Sequence, residues 1–375
     1  MRSDFPLVRR LLLWLLALLL PACVDPYSPD IPAAKRSFLV VDGFLNAQGV
    51  TTIRLSRTFA VATQLKVPTE TRAKVYMEDA SGTRFPLTES PTGTYTSAYL
   101  TLNPARTYRL HIATDNGLLY ASDFVPVKTT QPLDALDWRP ENNGLAIYLS
   151  THDDTKATQY YRWEYEETWE ITPPFNPSVE YFNNAIRPIR VPYPTRCWGN
   201  ERAPAIQLAK TTMLSQDVVT DFPLRRLDRT SDRLFTRYSI LVQQHALTKD
   251  EYSYWEQLRK NTESLGTLFD PQPSQLTGNV HCLSNEAELA FGFVGAHSLA
   301  ERRIFITHSQ LPAGWPYVDG YKSCVPPDTA KDGISPLIRQ GFLLPINIVL
   351  AGITVATPDC VDCRRRGSAT RPAFW

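Results

Sequence analysis

The amino-acid sequence predicts an all-β chain: an N-terminal immunoglobulin-like β-sandwich, then a second, β-sandwich-like domain with one inserted helix. About seven short runs of alternating apolar and polar residues, separated by turn signals, fall between residues 37 and 130. No helical period interrupts these runs. A content of 43% hydrophobic and 11% aromatic residues excludes a disordered chain, because enough apolar side chains are present to bury a core.

Residues 1–22 have the pattern of a lipoprotein signal peptide. Arginines at positions 2, 9 and 10 precede ten apolar residues, Leu11 to Leu20. A helix of that length spans about 15 Å, roughly half of a bilayer's hydrocarbon core, so a transmembrane helix is disfavoured. The stretch Leu20-Pro21-Ala22-Cys23 is typical of a bacterial lipobox. We therefore expect cleavage before Cys23 and attachment of acyl chains (palmitate among them) to Cys23, which would anchor the protein on a lipid bilayer.

Residues 23–36 contain three prolines and no apolar periodicity, which predicts an extended tether. The whole chain has a formal net charge of +1. Removal of residues 1–22 takes away three arginines and one aspartate, which leaves 36 basic and 37 acidic residues. A chain so close to neutrality gives no support for a nucleic-acid partner, and membrane attachment would depend on the lipid.

The N-terminal domain is expected over residues 37–130. The predicted strands share short length, period-two alternation and flanking turn residues: Ser37–Leu45, Thr51–Ser56, Ala73–Met77, Thr83–Leu87, Gly93–Leu100, Thr107–Thr114 and Leu118–Val127.

The second domain is expected over residues 131–375. Its predicted strands have the same signature: Leu145–Ser150, Gln159–Thr172, Leu234–Gln244, Ala287–Ala296 and Arg302–His308. Thr248 and Glu251 match a capping box, which predicts the one helix near residues 249–264. Residues 173–194, rich in Pro, Asn and aromatic residues, are predicted to form a long loop, and the chain from Leu311 onward is predicted to be loop-rich.

Five cysteines follow Cys23, and all are disulfide candidates: Cys197, Cys282, Cys324, Cys360 and Cys363. An odd number leaves one thiol unpaired within a single chain, and an exported protein meets an oxidising compartment in which disulfides persist. We prefer a pairing of Cys324 with the Cys360/Cys363 motif and of Cys197 with Cys282. A redox role of that motif and a cysteine-containing zinc site are the alternatives.

No catalytic, metal-ligating or cofactor-binding motif stands out, so we assign no catalytic residue and expect no metal and no cofactor. The segment His152-Asp153-Asp154 is interpreted as a polar turn. Aromatic residues are dense between positions 160 and 198, where those that alternate along a strand are expected in the core. The others form a possible binding surface: Trp169, Phe175, Tyr181, Phe182, Tyr193 and Trp198.

Several motifs together resemble one family. They are the lipobox, FLVVDGFLN with GVTTIRLSRT, Arg196-Cys197-Trp198, GNVHCLSN, and the closing CVDCRRRG and RPAFW. The sequence resembles the domain-of-unknown-function family numbered 4249, lipoproteins of Bacteroidota. That family has no assigned catalytic residues. Its members are often encoded beside TonB-dependent outer-membrane transporters, and the resemblance therefore implies an accessory or ligand-capturing role with such a transporter as partner.

The expected function is that of a non-enzymatic binding or accessory component of a TonB-dependent nutrient-uptake complex, anchored in the outer membrane. The membrane face stays open, because only Asp25 lies close to Cys23 where surface-displayed lipoproteins often carry an acidic cluster. The alternatives are a cell-envelope hydrolase that acts on glycan or peptide, with carboxylates contributed by distant residues, and a structural or adhesive envelope protein.

Overall fold

The computed structural model describes residues 37–59, 67–263, 276, 278–324, 328–330 and 335–375. The protein is all-β, with two short α-helices among these residues. The predicted signal peptide, Cys23 and the tether lie outside the described residues. Within the described residues, no helix combines the length and the apolar character needed to span a membrane.

The strands alternate buried and exposed side chains along most of their length. In chain order the first eight are β1 (Leu39–Asn46), β2 (Gln48–Arg57), β3 (Lys74–Asp79), β4 (Arg84–Glu89), β5 (Thr94–Thr101), β6 (Thr107–Ala113), β7 (Leu119–Ser122) and β8 (Val125–Lys128). The next nine are β9 (Ala135–Glu141), β10 (Gly144–His152), β11 (Tyr160–Ile171), β12 (Val179–Phe182), β13 (Ala185–Pro188), β14 (Cys197–Arg202), β15 (Gln207–Lys210), β16 (Val218–Asp228) and β17 (Arg237–Ala246).

Helix α1 (Lys249–Glu263) follows, as the capping box predicts. The remaining elements are β18 (Val280–Cys282), β19 (Ala290–Phe291), β20 (Ala296–His297), β21 (Leu299–Thr307), β22 (Asp328–Ala330), α2 (Pro336–Arg339), β23 (Leu344–Val349) and β24 (Gly352–Ala356).

The N-terminal strands close into a barrel-like sheet of eight strands. The order is β6-β3-β4-β5-β2-β1-β20-β8, and β8 pairs back with β6 to close the ring. Strands β7 and β18 extend from β6, and β19 pairs with β1. The immunoglobulin-like sandwich predicted for residues 37–130 is not confirmed, because the sheet closes on itself and takes up β18, β19 and β20 from residues 280–297. The domain boundary at residue 130 stays a prediction.

The barrel core is formed by the inward residues of these strands. Leu39, Ile53, Met77 and Leu110 have no exposed surface and belong to one continuous apolar cluster. Gly43 lies where β1 pairs with β2, and glycine is required there for two reasons. Its φ is 133°, and a Cβ would lie 2.4 Å from the Thr52 carbonyl oxygen. The alternating apolar residues that predict these strands in the sequence therefore also form the closed core of the barrel.

Two further sheets share the second core. One has the order β16-β10-β9, and the other has the order β14-β11-β17-β21 with β15 beside β11. Leu145 and Ile147 of the first sheet belong to the same buried cluster as Trp163, Tyr238 and Ile240 of the second. The two sheets thus form a layered unit, whose core combines aliphatic side chains with large aromatic ones.

Buried hydrogen bonds join the barrel to this layered unit. The Thr130 hydroxyl accepts from the Ala246 amide at 3.0 Å and donates to the Ser298 carbonyl. The Gln244 side chain accepts from Trp163 Nε1 at 2.8 Å and donates to the Gln131 carbonyl at 2.8 Å. These polar groups are satisfied, so their burial costs little and fixes the relative register of β8, β17 and β21.

The C-terminal lobe consists of the hairpin β12–β13 and the three-stranded sheet β22-β24-β23. Ser178 donates from its amide to the Ile346 carbonyl at 2.8 Å, which holds the hairpin against the sheet. The prediction of a loop over residues 173–194 missed this hairpin. Its two-residue turn, Asn183-Asn184, has positive φ values of 48° and 62°, which asparagine tolerates and which type I′ hairpin turns require.

Other predicted boundaries also differ from the structure. The strand expected over Ala287–Ala296 is reduced to β19 and β20, which pair in parallel with β1. The chain beyond Leu311 contains β22, β23 and β24 where loops were predicted. The strand Leu344–Val349 and its partner, Gly352–Ala356, are separated by only two residues, which is a hairpin spacing that the sequence analysis missed.

Two disulfides cross-link the C-terminal part of the chain, and one of them reaches β14 of the layered unit. Cys197 is bonded to Cys363, and Cys324 is bonded to Cys360. The expectation that Cys324 joins the Cys360/Cys363 motif is confirmed. The preferred pairing of Cys197 with Cys282 is wrong, because Cys282 is a buried free thiol in β18, a strand of the extended barrel sheet, whereas Cys197 begins β14 of the layered unit.

Replacement of Cys363 by Ser should lower the free energy of unfolding by about 2–5 kcal/mol, because the bond to Cys197 closes a long loop in the unfolded chain. Non-reducing peptide mapping should find Cys197 linked to Cys363 and Cys324 linked to Cys360. The control variant Cys282→Ala should keep both links. A peptide that joins Cys197 to Cys282 would contradict this structure.

Candidate functional site

A cleft of about 470 Å³ lies where the barrel meets the layered unit. Strands β1 and β2 form one wall, β11 and β17 form the other, and α1 contributes one side. Its volume is in the range of about 300–1,000 Å³ that is typical of small-molecule sites. The cleft is defined here by five residues that carry its chemistry: Phe44, Arg162, His245, Glu251 and Trp255.

Strand alternation places polar side chains in the cleft. Along β11, Trp163 and Tyr165 enter the core, and Arg162, Glu164 and Glu166 line the cleft on the opposite face. The alternating pattern in the sequence therefore indicated which residues are core. It did not indicate that the polar face is covered by the barrel, because that contact joins residues far apart in the chain.

Three aromatic rings pack across the junction beside the cleft. Phe44 of β1 stacks on His297 of β20, with ring centroids 4.2 Å apart. The edge of His245 of β17 approaches both rings, at centroid distances of 5.2 Å from Phe44 and 5.1 Å from His297. These contacts bring one ring from the layered unit against two from the barrel, in geometries that aromatic quadrupoles favour.

His245 is a neutral, buried base at the floor of the cleft. It is 2% exposed, and neither ring nitrogen has a hydrogen-bond partner among the described residues. Burial lowers the pKa of His245 well below its ordinary value, and the Arg162 guanidinium and His297 lower it further. A buried polar group without a partner costs about 1–3 kcal/mol, so this ring is held in place against a local penalty.

Arg162 and Trp255 form a second polar pair on the same floor. The Arg162 guanidinium lies 4.1 Å from the centroid of the Trp255 ring and forms an ion pair with Glu164. Arg162 Nε and Trp255 Nε1 are both buried, and no acceptor lies within reach of either in the described part of the chain. Two hydrogen-bond donors are therefore left unsatisfied beside His245.

Glu251 is held at the cleft by the first turn of α1. Its amide donates to the Thr248 hydroxyl at 3.1 Å, which caps the helix as the capping box predicts. Its carboxylate lies 3.6 Å from His297 Nε2 and is nearly inaccessible to solvent. Gly295 permits this approach, since a Cβ there would lie 2.1 Å from Glu251 Oε2.

The rim of the cleft carries paired charges. Arg54 lies 3.5 Å from Asp42, and Arg202 lies 3.5 Å from Glu166. Among the described residues, no group of three His, Cys, Asp or Glu side chains is arranged to hold a metal ion. The cleft therefore offers paired charges and aromatic rings to a ligand.

The segment His152-Asp153-Asp154 lies outside the cleft. Asp153 accepts from the amides of Thr155 and Thr158, at 2.9 and 3.0 Å, and His152 Nδ1 lies 2.7 Å from Asp134 at an exposed position. Asp153 thus fixes a loop, in agreement with the polar turn interpreted from the sequence.

The six aromatic residues predicted as a binding surface do not line the cleft. Trp169 is half-buried beneath the Arg233 guanidinium, at 4.3 Å, and Trp198 has a buried Nε1 atom without a partner in the described residues. Phe175 and Tyr193 pack on the core of the C-terminal lobe. The Tyr181 hydroxyl donates to Asn184, and Phe182 is 47% exposed with Arg187 over its ring.

The C-terminal lobe instead exposes aliphatic side chains at one hairpin tip. Ile348 is 65% exposed, Val349 is 42% exposed and Leu350 is fully exposed at the turn between β23 and β24. No charged residue occurs between positions 340 and 358. The disulfide at Cys360 lies in the core below this tip. An exposed, uncharged apolar tip is typical of an interaction surface.

A comparison with family models decides the identity of the chain. The model described as "Domain of unknown function (DUF4249)" matches residues 24–303. The chain belongs to the DUF4249 family. No curated protein matches it. The resemblance noted from sequence motifs is thereby confirmed, and the DUF4249 match includes every residue that lines the cleft. The C-terminal hairpin and the Cys360/Cys363 motif lie beyond the matched range.

The neutral state of His245 makes stability depend on pH. The unfolded chain binds a proton on this histidine below its ordinary pKa of about 6.5, and the folded protein does not, so stability falls as the pH decreases. Denaturant unfolding should show wild type losing stability relative to His245→Phe by at most about 1.4 kcal/mol for each pH unit below 6.5.

His152 provides a control, because its effect on stability has the opposite pH dependence. Asp134 raises the pKa of His152, so its contribution is present at low pH and is lost as the pH rises. The variant His152→Gln should therefore differ from wild type mainly in acid. An equal pH dependence of wild type and His245→Phe would show that folding does not lower the pKa of His245.

Proposed function

We propose that this DUF4249 protein is an outer-membrane-anchored lipoprotein that acts without catalysis, as a binding or accessory component of a TonB-dependent nutrient-uptake complex. The observation that carries the proposal is the cleft of about 470 Å³, which has the volume of a small-molecule site and is lined by aromatic rings and paired charges.

The electrostatics of the cleft favour binding over hydrolysis. Acid–base chemistry needs a carboxyl group or histidine that is poised to exchange a proton with substrate near neutral pH. The cleft carboxylates Asp42, Glu164 and Glu166 instead lie beside guanidinium groups, and Glu251 is nearly inaccessible to solvent. Burial lowers the pKa of His245 well below its ordinary value, which makes His245 a weak base. A glycosidase would also need two carboxyl groups that flank a bond. The hydrolase is therefore the second candidate, and a purely structural or adhesive role does not require a cleft of this size.

The proposed lipid anchor is supported by the lipobox-like sequence at Cys23 and by the resemblance to lipoproteins of Bacteroidota. Each buried methylene contributes about 0.8 kcal/mol, so several acyl chains hold a protein on a membrane without a basic surface. The nearly neutral charge of the mature chain agrees with this mode of attachment.

The partner surface that we propose is the hairpin tip at Ile348, Val349 and Leu350. Interfaces of accessory subunits bury apolar side chains, and these three are presented on a strand pair that the Cys324–Cys360 bond secures. An uncharged tip also avoids the desolvation cost that ionic side chains bring to an interface.

Affinity purification of the protein from native membranes, without overexpression and in mild detergent, should recover a TonB-dependent transporter. The double variant Ile348→Asp/Leu350→Asp should recover several-fold less transporter, because two charges would be buried at the contact. Met213→Asp is the matched control, since Met213 is 91% exposed outside the lobe. Absence of a transporter from the wild-type preparation would refute the uptake role, and equal recovery with all variants would refute the role of the hairpin tip.

Replacement of Cys23 by Ala should move the protein from the membrane fraction to the soluble fraction, because no acyl chain can be attached to Ala. Fractionation of cells followed by immunoblotting measures the change. Cys282→Ala should remain with the membranes. Persistent membrane attachment of Cys23→Ala would contradict lipid anchoring.

A further inference from the structure

A second cavity, the lobe pocket, lies in the C-terminal lobe and has a volume of about 320 Å³. Strand β12, helix α2 and the start of β23 form its walls. Most of its lining residues are apolar or aromatic, and three of them, Tyr181, Tyr193 and Leu343, are half-buried, so part of each side chain stays accessible. A pocket of this size and lining accepts an apolar group.

The lobe pocket carries one unpaired positive charge. Its two charged lining residues are Glu180 and Arg339. Glu180 forms an ion pair with Arg187 at 2.8 Å. Arg339 is exposed, and its guanidinium forms no ion pair with any residue that the structure describes. A carboxylate placed at Arg339 therefore gains a charge-assisted hydrogen bond without displacing a described partner.

Exposed apolar side chains lie at the lobe pocket as well as at the hairpin tip. Leu337 is 49% exposed and Phe342 is 63% exposed. The Phe342 amide donates to the Leu337 carbonyl at 2.9 Å, so one turn carries both side chains beside the pocket residues 338–341. Strand β23 begins at the pocket and ends at the tip, about 17 Å away at about 3.3 Å per residue. A standard interface covers about 800 Å² of each partner, roughly 30 Å across, so one partner can cover both.

A second copy of this chain does not match the lobe pocket. A twofold homodimer places the same patch on both subunits, so the patch must supply its own complementary charge. Glu180 is already paired with Arg187, and no charged residue occurs between positions 340 and 358. Among the described residues, the patch thus offers no free carboxylate to Arg339 of another copy. A small free anion would leave the exposed apolar side chains uncovered.

We propose that the lobe pocket receives an anchor segment of the partner transporter, in which an apolar side chain enters the pocket and a neighbouring carboxylate pairs with Arg339. The apolar group gains from burial against Tyr181, Tyr193 and Leu343, and the ion pair fixes the register of the segment. Hot spots of protein interfaces have this form, with an anchor in a pocket and surrounding contacts that exclude water. The inference rests on the proposed uptake role and goes beyond it, since it states the chemistry of the transporter segment.

The test is zero-length cross-linking of the full, lipidated protein in native membranes with a water-soluble carbodiimide. The reagent activates a carboxylate, a lysine amine in direct contact forms an amide bond with it, and the carbodiimide takes up the elements of water to become a urea. Arginine does not react. Arg339→Lys keeps the positive charge and introduces the amine. Peptide mass spectrometry should then find position 339 joined to an Asp or Glu of the transporter that has an apolar residue within two positions, a link that wild type lacks.

Charge reversal provides the second measurement. Arg339→Glu should recover several-fold less transporter than wild type in affinity purification from native membranes, because two carboxylates would then meet at the contact. Arg190 supplies the matched controls, since it is exposed beside the hairpin β12–β13 and does not line the lobe pocket. Arg190→Lys should form no link to the transporter, and Arg190→Glu should recover as much transporter as wild type.

The outcomes separate this inference from the uptake role. If no transporter is recovered with wild type, the uptake role itself fails and the anchor segment fails with it. If a transporter is recovered, four results would each overturn the anchor segment alone. These are no link at position 339, a link to a second copy of this chain, a coupled carboxylate without an apolar neighbour, and equal recovery with Arg339→Glu and Arg190→Glu.

Discussion

The contact of His245 with Phe44 and His297 is the constraint on which the cleft depends. His245 belongs to the layered unit and the other two rings belong to the barrel, so their edge and face contacts fix the distance between the two cleft walls. The contact requires a neutral imidazole, because a charged ring would be buried without a counter-ion near the Arg162 guanidinium. The two walls of the cleft are therefore held together only in the pH range in which His245 stays neutral.

Closure of the barrel explains why the junction forms at this place. Strand β20 comes from residues far along the chain and inserts between β1 and β8, which carries His297 to Phe44. The chain then continues directly into β21, an outer strand of the layered unit. The same crossing brings Gly295 against Glu251 at the start of α1. A few residues between positions 295 and 299 thus connect three parts of the fold, and the cleft lies among them.

Local patterns predicted the all-β class, most N-terminal strands and helix α1, because each of these depends on period-two or capping signals within a few residues. The same patterns identified the core face of β11 through Trp163 and Tyr165.

Local patterns could not reveal the closed barrel, since β20 has two residues and no periodicity of its own. The cleft was missed for the same reason: Phe44, Arg162, His245 and Trp255 meet only through long-range packing. The aromatic density near residue 180 was visible in the sequence, whereas the unsatisfied donors become recognisable only when burial is known.

The most direct test of the constraint at His245 is a pH titration of the His245 imidazole resonances in full-length protein labelled with ¹⁵N-histidine, assigned by their loss in His245→Phe. We predict that the His245 ring stays neutral at every pH at which the protein is folded, because burial lowers its pKa well below the ordinary value. A His245 ring that gains a proton near the ordinary histidine pKa in the folded protein would contradict this constraint.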